Sequence, residues 1–362
     1  MVSRTGRARG AEAPATGAPR DRTGREASVH DVARLASVSI ASVSRALNAP
    51  EQVSAGLRAR VEAAARSLDY HPNPAARRLS ARRSQIVATL LPTIEADIFA
   101  RGTAAIAARL EAAGYTLFIG ATLYDPEREF HLARRFLARG ADGLIFMGAS
   151  HLPELYELLA RRAVPFVNQG VFAPDSAHPS VGFDNAEAIG LAVEHLLALG
   201  HRRIGMVAGI AAGNDRAAGR IGGFRARLAA AGCQPAGLVE QPYTLAGGAA
   251  GLEALWRAPT RPTAIVCGND VLALGVLLAA ARAGIAVPET LSVTGFDDLP
   301  IAAEIPPGLT SVHVPTAEMG ALAAEYVLAR LAGASPPAHR PVSLTLRRRG
   351  STAPPPPTPA PG

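Results

Sequence analysis

From Ile86 to near residue 350 the chain alternates short apolar runs with longer amphipathic stretches, and this alternation constrains the fold more than any other feature. Runs at Ile86–Leu91, Tyr115–Ala121, Gly143–Met147, Pro165–Asn168 and Val181–Phe183 have strand length and strand composition. More follow at Arg203–Ala208, Leu238–Gln241, Thr263–Cys267, Leu291–Gly295, Leu309–Val314 and Val342–Leu346. Between them the apolar spacing turns helical, for example near 98–113, 126–139, 186–199, 217–232, 270–283 and 316–332. Repeated β-α units build parallel sheets covered by helices on both faces. The number of strands predicts two α/β lobes rather than one sheet.

At 362 residues the chain exceeds one ordinary core, so more than one domain is expected, and 48% hydrophobic content is ample to pack them. The two cysteines, Cys233 and Cys267, exclude a disulfide framework or a Cys-rich zinc site and suit a reducing cytoplasm. The basic N-terminus is followed by no apolar stretch of signal-peptide type, and no run reaches bilayer-spanning length, so no membrane partner is expected. Charge is uneven. Residues 1–84 carry 15 Arg against 7 acidic residues, whereas residues 85–362 carry 22 against 23. The overall net of +7 therefore resides in the N-terminal part, which points to an anionic partner bound at that end.

Residues 1–27, rich in Gly, Ala, Pro, Thr and Arg without apolar period, read as a disordered basic arm. Ser28, with Asp31 three residues on, starts a helix whose apolar stripe is Val32, Leu35 and Ala36. Ser37-Val38-Ser39 breaks it, and Ser39 caps a second helix, Ile40 to Leu47. In that helix Val43 and Leu47 face inward, leaving Ile40, Ala41, Ser42, Ser44 and Arg45 toward the other side. A third helix follows Ser54. Three short helices with a tight turn between the first two make a helix-turn-helix domain over residues 28–72. In residues 73–84, Asn73-Pro74 starts a helix of about one turn, Ala75 to Leu79, too short to be stable alone.

The order Asp31-Val-Ala-x-Leu-Ala-x-Val-Ser39, Val43-Ser-Arg-x-Leu-Asn48, Val53-Ser54, Tyr70-x-Pro-Asn73 and Ala76-Arg-x-Leu79 resembles the lac-repressor family of bacterial regulators. The resemblance implies an all-α helix-turn-helix head with a hinge helix, followed by a two-lobed core of the type I periplasmic-binding-protein-like fold over residues 85–350. It implies that the second helix enters the DNA major groove. Ile40, Ala41 and Arg45 would then reach base edges, and Ser39, Ser42 and Ser44 would lie near phosphates. Arginine suits guanine O6 and N7, whereas Ile40 and Ala41 offer only apolar contact, such as to thymine methyls. It also implies that two hinge helices pair on DNA. Leu79 would wedge into the minor groove, Asn73 would cap the hinge and Arg77 would sit near phosphate.

In open α/β lobes ligands lie beyond the C-terminal ends of strands. The polar residues at such ends are Asn168-Gln169, Asp184-Asn185, Asn214, Arg216, Arg220, Asn269-Asp270 and Asp297-Asp298. Acceptors and arginine donors converging on a cleft suit a polyol, whose hydroxyls both donate and accept. The resemblance implies effector contacts at Arg220, Asn269 and Asp297, ring stacking at Phe99 and Tyr243, and a crossover polar residue at Asp184. Asp270, Asp298 and Asn185 read instead as helix caps. The segment Pro92-Thr-Ile-Glu-Ala-Asp-Ile-Phe99 departs from the family pattern and leaves Glu95 and Asp97 near the mouth. The chain is expected to cross between lobes near Phe183-Asp184 and to return near Pro306–Pro315, with a disordered Pro-rich tail over residues 351–362.

Gly-x-Ser-x-Gly, His-x-x-Glu-His, Cys-x-x-Cys and Gly-Lys-Ser/Thr patterns are absent, so the chain is not read as an enzyme and no cofactor or metal is expected. The expected function is a cytoplasmic, sequence-specific DNA-binding regulator. Its expected partners are a pseudo-palindromic operator, a second copy of itself as homodimer or dimer of dimers, and a sugar-like effector between the lobes. The alternatives are a small-molecule binding protein with a degenerate head, a purine- or nucleoside-responsive regulator, and a sugar-processing enzyme using the cleft.

Overall fold

A computed structural model of the chain describes residues 27–48, 50–70 and 84–357. It divides into two units, Met1–Ser84 and Gln85–Gly362. The expected arm, the hinge residues Asn73, Arg77 and Leu79, and the end of the tail lie outside the described residues.

In the first unit, α1 (Val29–Leu35), α2 (Ile40–Asn48) and α3 (Ala55–Ser67) enclose a small core of Val32, Ala33, Ala36, Val43, Ala46 and Val61. The Ser28 hydroxyl donates to Asp31 Oδ2 at 2.6 Å and the Ser28 amide to the same oxygen at 3.0 Å, fixing the entry to α1. Ser39 Oγ accepts from the Ser42 amide at 3.1 Å and starts α2. One expectation is corrected here. The inward stripe of α1 is Val29, Val32, Ala33 and Ala36, at i, i+3, i+4 and i+7, and Leu35 faces outward, 54% exposed.

The second unit has two sheets of six strands. The N-lobe contains β1 (Ile86–Leu91), β2 (Thr116–Ala121), β3 (Gly143–Met147), β4 (Phe166–Gln169), β5 (Ser180–Gly182) and β11 (His339–Pro341), in the spatial order β11-β5-β4-β3-β1-β2. Its helices are α4 (Asp97–Glu111), α5 (Pro126–Ala138), α6 (Pro153–Arg161) and α12 (Thr316–Leu331). The C-lobe contains β6 (Ile204–Gly209), β7 (Leu238–Gln241), β8 (Ala264–Cys267), β9 (Ser292–Asp297), β10 (Thr310–His313) and β12 (Thr345–Arg347), in the order β12-β10-β9-β8-β6-β7. Its helices are α7 (Asn185–Ala198), α8 (Asp215–Ala230), α9 (Leu245–Trp256), α10 (Asp270–Arg282) and α11 (Pro300–Glu304). The central strands β1, β6, β8 and β9 are buried along their whole length, which is why β1, β6 and β8 read as nearly continuous apolar runs rather than alternating ones. Registers such as Val87↔Gly143 and Ile204↔Ala264 are parallel; β12 alone among the paired C-lobe strands runs antiparallel, with Ser311 opposite Arg347.

The chain crosses between lobes at 183–184 and 314–315, and a third time at 342–344. The single strand expected at Val342–Leu346 is therefore two short ones, β11 and β12, one in each sheet. The start of the expected tail also differs: residues 351–353 are ordered. Ser351 is fully buried, with its hydroxyl donating to the Val293 carbonyl at 2.6 Å and accepting from the Thr310 amide at 2.8 Å. The Val293 amide donates to the Ser351 carbonyl at 2.8 Å, and a His201 ring nitrogen lies 2.8 Å from the Ala353 carbonyl. These bonds give the backbone polar groups of 351–353 internal partners, so the segment packs against the C-lobe despite its tail-like composition.

Candidate functional site

The parallel strands of both lobes end toward one cleft, and a cavity of about 830 Å³ lies there. Of the residues expected in it, Phe99, Asn214, Arg216, Arg220, Tyr243, Asn269 and Asp297 line the wall, as do Glu95 and Asp97. Asp184 does not. It occupies the position before α7, and its Oδ1 accepts from the Ala186 and Glu187 amides at 2.7 and 3.1 Å, so the carboxylate is spent on helix capping. The next residue, Asn185, lines the cavity instead, and its Nδ2 donates to the Gly170 carbonyl at 3.0 Å. The expected caps Asp270 and Asp298 also differ. Asp270 Oδ2 accepts from the Leu299 amide and its Oδ1 from the Ser311 hydroxyl, both at 2.6 Å, tying β9 and β10 together. Asp298 pairs with Arg349 at 2.7 Å and with His313 at 2.9 Å.

Asn214 and Asn269 each serve two ends. Their side-chain carbonyls accept from the Ala217 and Leu272 amides at the starts of α8 and α10, at 3.3 and 2.9 Å, which leaves each carboxamide NH₂ for a ligand. Arg220 extends from the second turn of α8. Its Nη1 donates to the Gly268 carbonyl at 2.7 Å, and its Nε to the Arg216 carbonyl at 3.3 Å. Asp297, at the end of β9, is held in left-handed backbone at φ 109°. Burial pushes its carboxyl well above the usual carboxylate range, opposed by the Arg220 charge. A buried acid beside a guanidinium presents a hydrogen-bonding pair of opposite polarity to one small molecule.

Gln169, expected at a strand end, lines the cavity, and Tyr124 and Phe296 line it too although the sequence did not single them out. Tyr124 follows Leu123, and both adopt left-handed backbone, at φ 60° and 57°. No residue-type signal announces such a pair, because Leu and Tyr are rare there. Burial pushes the Tyr124 phenol up to about 12. The Tyr243 hydroxyl is buried, with no hydrogen-bond partner among the described residues.

In the head, Ile40 is 42% exposed, and Ala41 and Arg45 are exposed with it on one face of α2; Ser42 and Ser44 are half-buried. The inner face carries Val43 and Ala46, both buried, with Leu47 packed against them. Arg45 Nε reaches back to the Ala41 carbonyl at 3.4 Å. An apolar alternative for Ile40, burial in the head's own core, is thus not realised.

Residues 28–73 match the family described as bacterial regulatory proteins, lacI family, and residues 193–352 match the periplasmic binding protein-like domain. The transcriptional regulator GntR of Pseudomonas aeruginosa is 36% identical over 315 residues, covering 86% of this chain and 91% of that protein. The chain belongs to the lacI family. Among solved structures, the lac repressor dimer bound to operator and the anti-inducer ONPF superposes with a TM-score of 0.83 at 26% identity, covering 91% of this chain and all of that one. A complex of the regulator CelR with cellobiose superposes with a TM-score of 0.67 at 26% identity, covering 90% and 99%. As a lacI-family member this chain is a DNA-binding transcriptional regulator. Among the described residues no helix is long and apolar enough to cross a membrane, and no cluster of three or more His, Cys, Asp or Glu could hold a metal.

Proposed function

We propose that two copies of the chain repress transcription in the bacterial cytoplasm by binding a pseudo-palindromic operator, and that a sugar or sugar derivative held between the lobes controls that binding. The observation that carries the reading is the convergence of Arg220, Asn269 and Asp297 with Phe99 and Tyr243 in one cavity bounded by both lobes. Donors, an acid and aromatic faces together match a polyol ring, whose hydroxyls need both polarities and whose apolar face stacks. The fold relative in complex with cellobiose supports the same class.

In this reading Ile40, Ala41 and Arg45 face the bases, and Ser39, Ser42 and Ser44 sit by phosphates. The hinge residues Asn73, Arg77 and Leu79, outside the described residues, form a helix only when paired with their twin on DNA. The effector acts through different affinities for two lobe positions, which change the spacing of the hinges. It is bound and released unchanged, so the protein works by binding rather than turnover.

The test is a mobility-shift assay with fragments of the neighbouring promoter at low salt, with and without mono- and disaccharides. A retarded fragment whose affinity one saccharide changes is the expected result. No retarded fragment with any saccharide, or turnover of a saccharide on incubation, would sink this reading.

A further inference from the structure

At one edge of the cleft the lobes touch directly. Asp215, the first residue of α8 in the C-lobe, places Oδ2 2.7 Å from the amide nitrogen of Ala149, in the N-lobe loop after β3. Its other oxygen accepts from the Arg216 amide at 2.9 Å and from Arg216 Nη1 at 3.2 Å. Two glycines admit this approach. Gly148 has φ +95°, and a Cβ there would lie 2.3 Å from Arg216 Nη1 and 2.6 Å from Asp215 Oδ1. Gly213 has φ +67°, and a Cβ there would lie 2.6 Å from the Tyr124 carbonyl oxygen. The N-lobe loop at Gly148 therefore seats directly on the Asp215 and Arg216 side chains, and the Tyr124 backbone seats directly on Gly213.

The N-lobe half of this contact is braced from behind. His151 places one ring nitrogen 2.6 Å from Glu129 Oε2 and the other 3.1 Å from the Gly148 carbonyl, and both side chains are buried. The Tyr156 hydroxyl donates to the Ala149 carbonyl at 3.2 Å, and the Gly148 amide donates to the Gln169 carbonyl at 2.9 Å. The loop is thus pre-set to present the Ala149 N–H, and its partner is a carboxylate, the stronger kind of acceptor. Arg216 joins the two places, because its guanidinium both lines the cavity and pairs with Asp215.

We infer that Asp215 and the Ala149 amide form a clasp that stabilises one of the two lobe positions, and that Asp215 thereby sets operator affinity as a positioning residue. The inference rests on the proposed reading of the lobes as the regulatory element. Opening the cleft must break a charge-assisted hydrogen bond and separate the close contacts at Gly148 and Gly213. Neither loss is compensated within the N-lobe, where the His151 and Tyr156 contacts keep the loop in place. An effector that engages Arg216 from the cavity side changes the only side-chain cation on Asp215 among the described residues, which ties the clasp to cavity occupancy.

The test uses the full-length protein and three variants, Asp215→Ala, Asp215→Asn and Gly148→Ala. Amide hydrogen exchange is read on the peptide containing Ala149. Binding is read on a duplex that the unaltered protein enriches from a random-sequence DNA pool. Asp215→Ala and Gly148→Ala, acting from opposite lobes, are expected to speed exchange at Ala149 by about tenfold or more. Both are expected to change affinity for the enriched duplex by about fivefold or more. Asp215→Asn, which keeps an acceptor oxygen, restores both toward the unaltered protein. Unchanged exchange in Asp215→Ala and Gly148→Ala overturns the proposal, and so does faster exchange with unchanged duplex affinity. If the unaltered protein enriches no duplex, the DNA-binding reading fails separately, and the exchange measurement still decides whether the clasp exists.

Discussion

The guanidinium carbon of Arg220 lies 4.4 Å from the centroid of the Phe296 ring, and Phe296 is itself fully buried between β9 and the cavity. The ring and two backbone carbonyls hold the side chain in place, and among the described residues no carboxylate lies within ion-pair distance of it. In the proposed function, the rest of its hydrogen-bonding capacity serves the effector.

A lysine cannot reproduce this arrangement, since it lacks both the planar face that stacks on Phe296 and the fork that spans two acceptors. Cation–π stacking of a desolvated guanidinium contributes about 2 kcal/mol. That energy holds Arg220 in position, and a lysine would also lose a charge-assisted hydrogen bond of the fork to the effector, so Arg220→Lys is expected to weaken effector binding by about tenfold or more while operator binding without effector is retained. Titration calorimetry with the saccharide found in the mobility-shift screen checks the first part, and anisotropy on labelled operator the second.

Asp270 gives a pH dependence of stability. It is fully buried, and burial pushes its carboxyl up to about 7 despite the hydrogen bonds from Ser311 and Leu299. An acid whose folded pKa lies above its unfolded value adds stability that is fully present below the unfolded value and is lost as pH rises through the folded one. The window here runs from the ordinary value of 3.8 to about 7. Asp270→Asn has no such titration, so its stability relative to the unaltered protein should rise as pH rises through that window. Thermal melts of both proteins at pH 5 and pH 8 read this directly, and an equal difference at the two pH values would contradict it.

Adjacent glycines in α8 should respond oppositely to alanine. A Cβ on Gly223 would lie 2.2 Å from the Ala186 carbonyl oxygen, where α7 and α8 pack backbone to backbone, whereas one on Gly222 meets nothing within 4 Å. Gly223→Ala is expected to cost about 1–3 kcal/mol through overpacking. Gly222→Ala, at an exposed helical position, should stabilise by about 0.5–1 kcal/mol. Urea unfolding of the two variants in parallel checks the sign of each.

Arg45 is the base-reading candidate on the exposed face of α2. Losing a bidentate contact to a base costs about 1–3 kcal/mol of discrimination. Arg45→Ala should lower affinity for the enriched operator to that extent and leave binding to unrelated duplex nearly unchanged. A uniform loss on both sequences would assign Arg45 to phosphate instead.

Much of the body was legible in the sequence because most of its central strands are covered on both faces and so appear as nearly continuous apolar runs. The cleft-side placement of Asn269 and Asp297 was legible because each stands at a strand end that the alternation itself locates, whereas Arg220, inside α8, was singled out by the family resemblance. The error at Asp184 has a local cause: the residue just before a helix folds its side chain back onto the helix amides, and the next one faces the cleft. Tyr124 was hidden because nothing in the residue types of Leu123-Tyr124 announces left-handed backbone. Ser351 was hidden because its partners, Val293 and Thr310, lie far away in sequence. The double strand at β11 and β12 was hidden because Val342–Leu346 has the composition of one strand, and nothing local marks a crossing inside it.

The central claim is that one cavity controls DNA binding at a distance. It is tested most directly by anisotropy on the enriched operator, with and without a panel of saccharides, for the unaltered protein and for Arg220→Ala. One saccharide should shift the Kd of the unaltered protein by about fivefold or more. Arg220→Ala should bind the operator equally well without saccharide and show no shift. A saccharide shift that persists undiminished in Arg220→Ala would contradict the account.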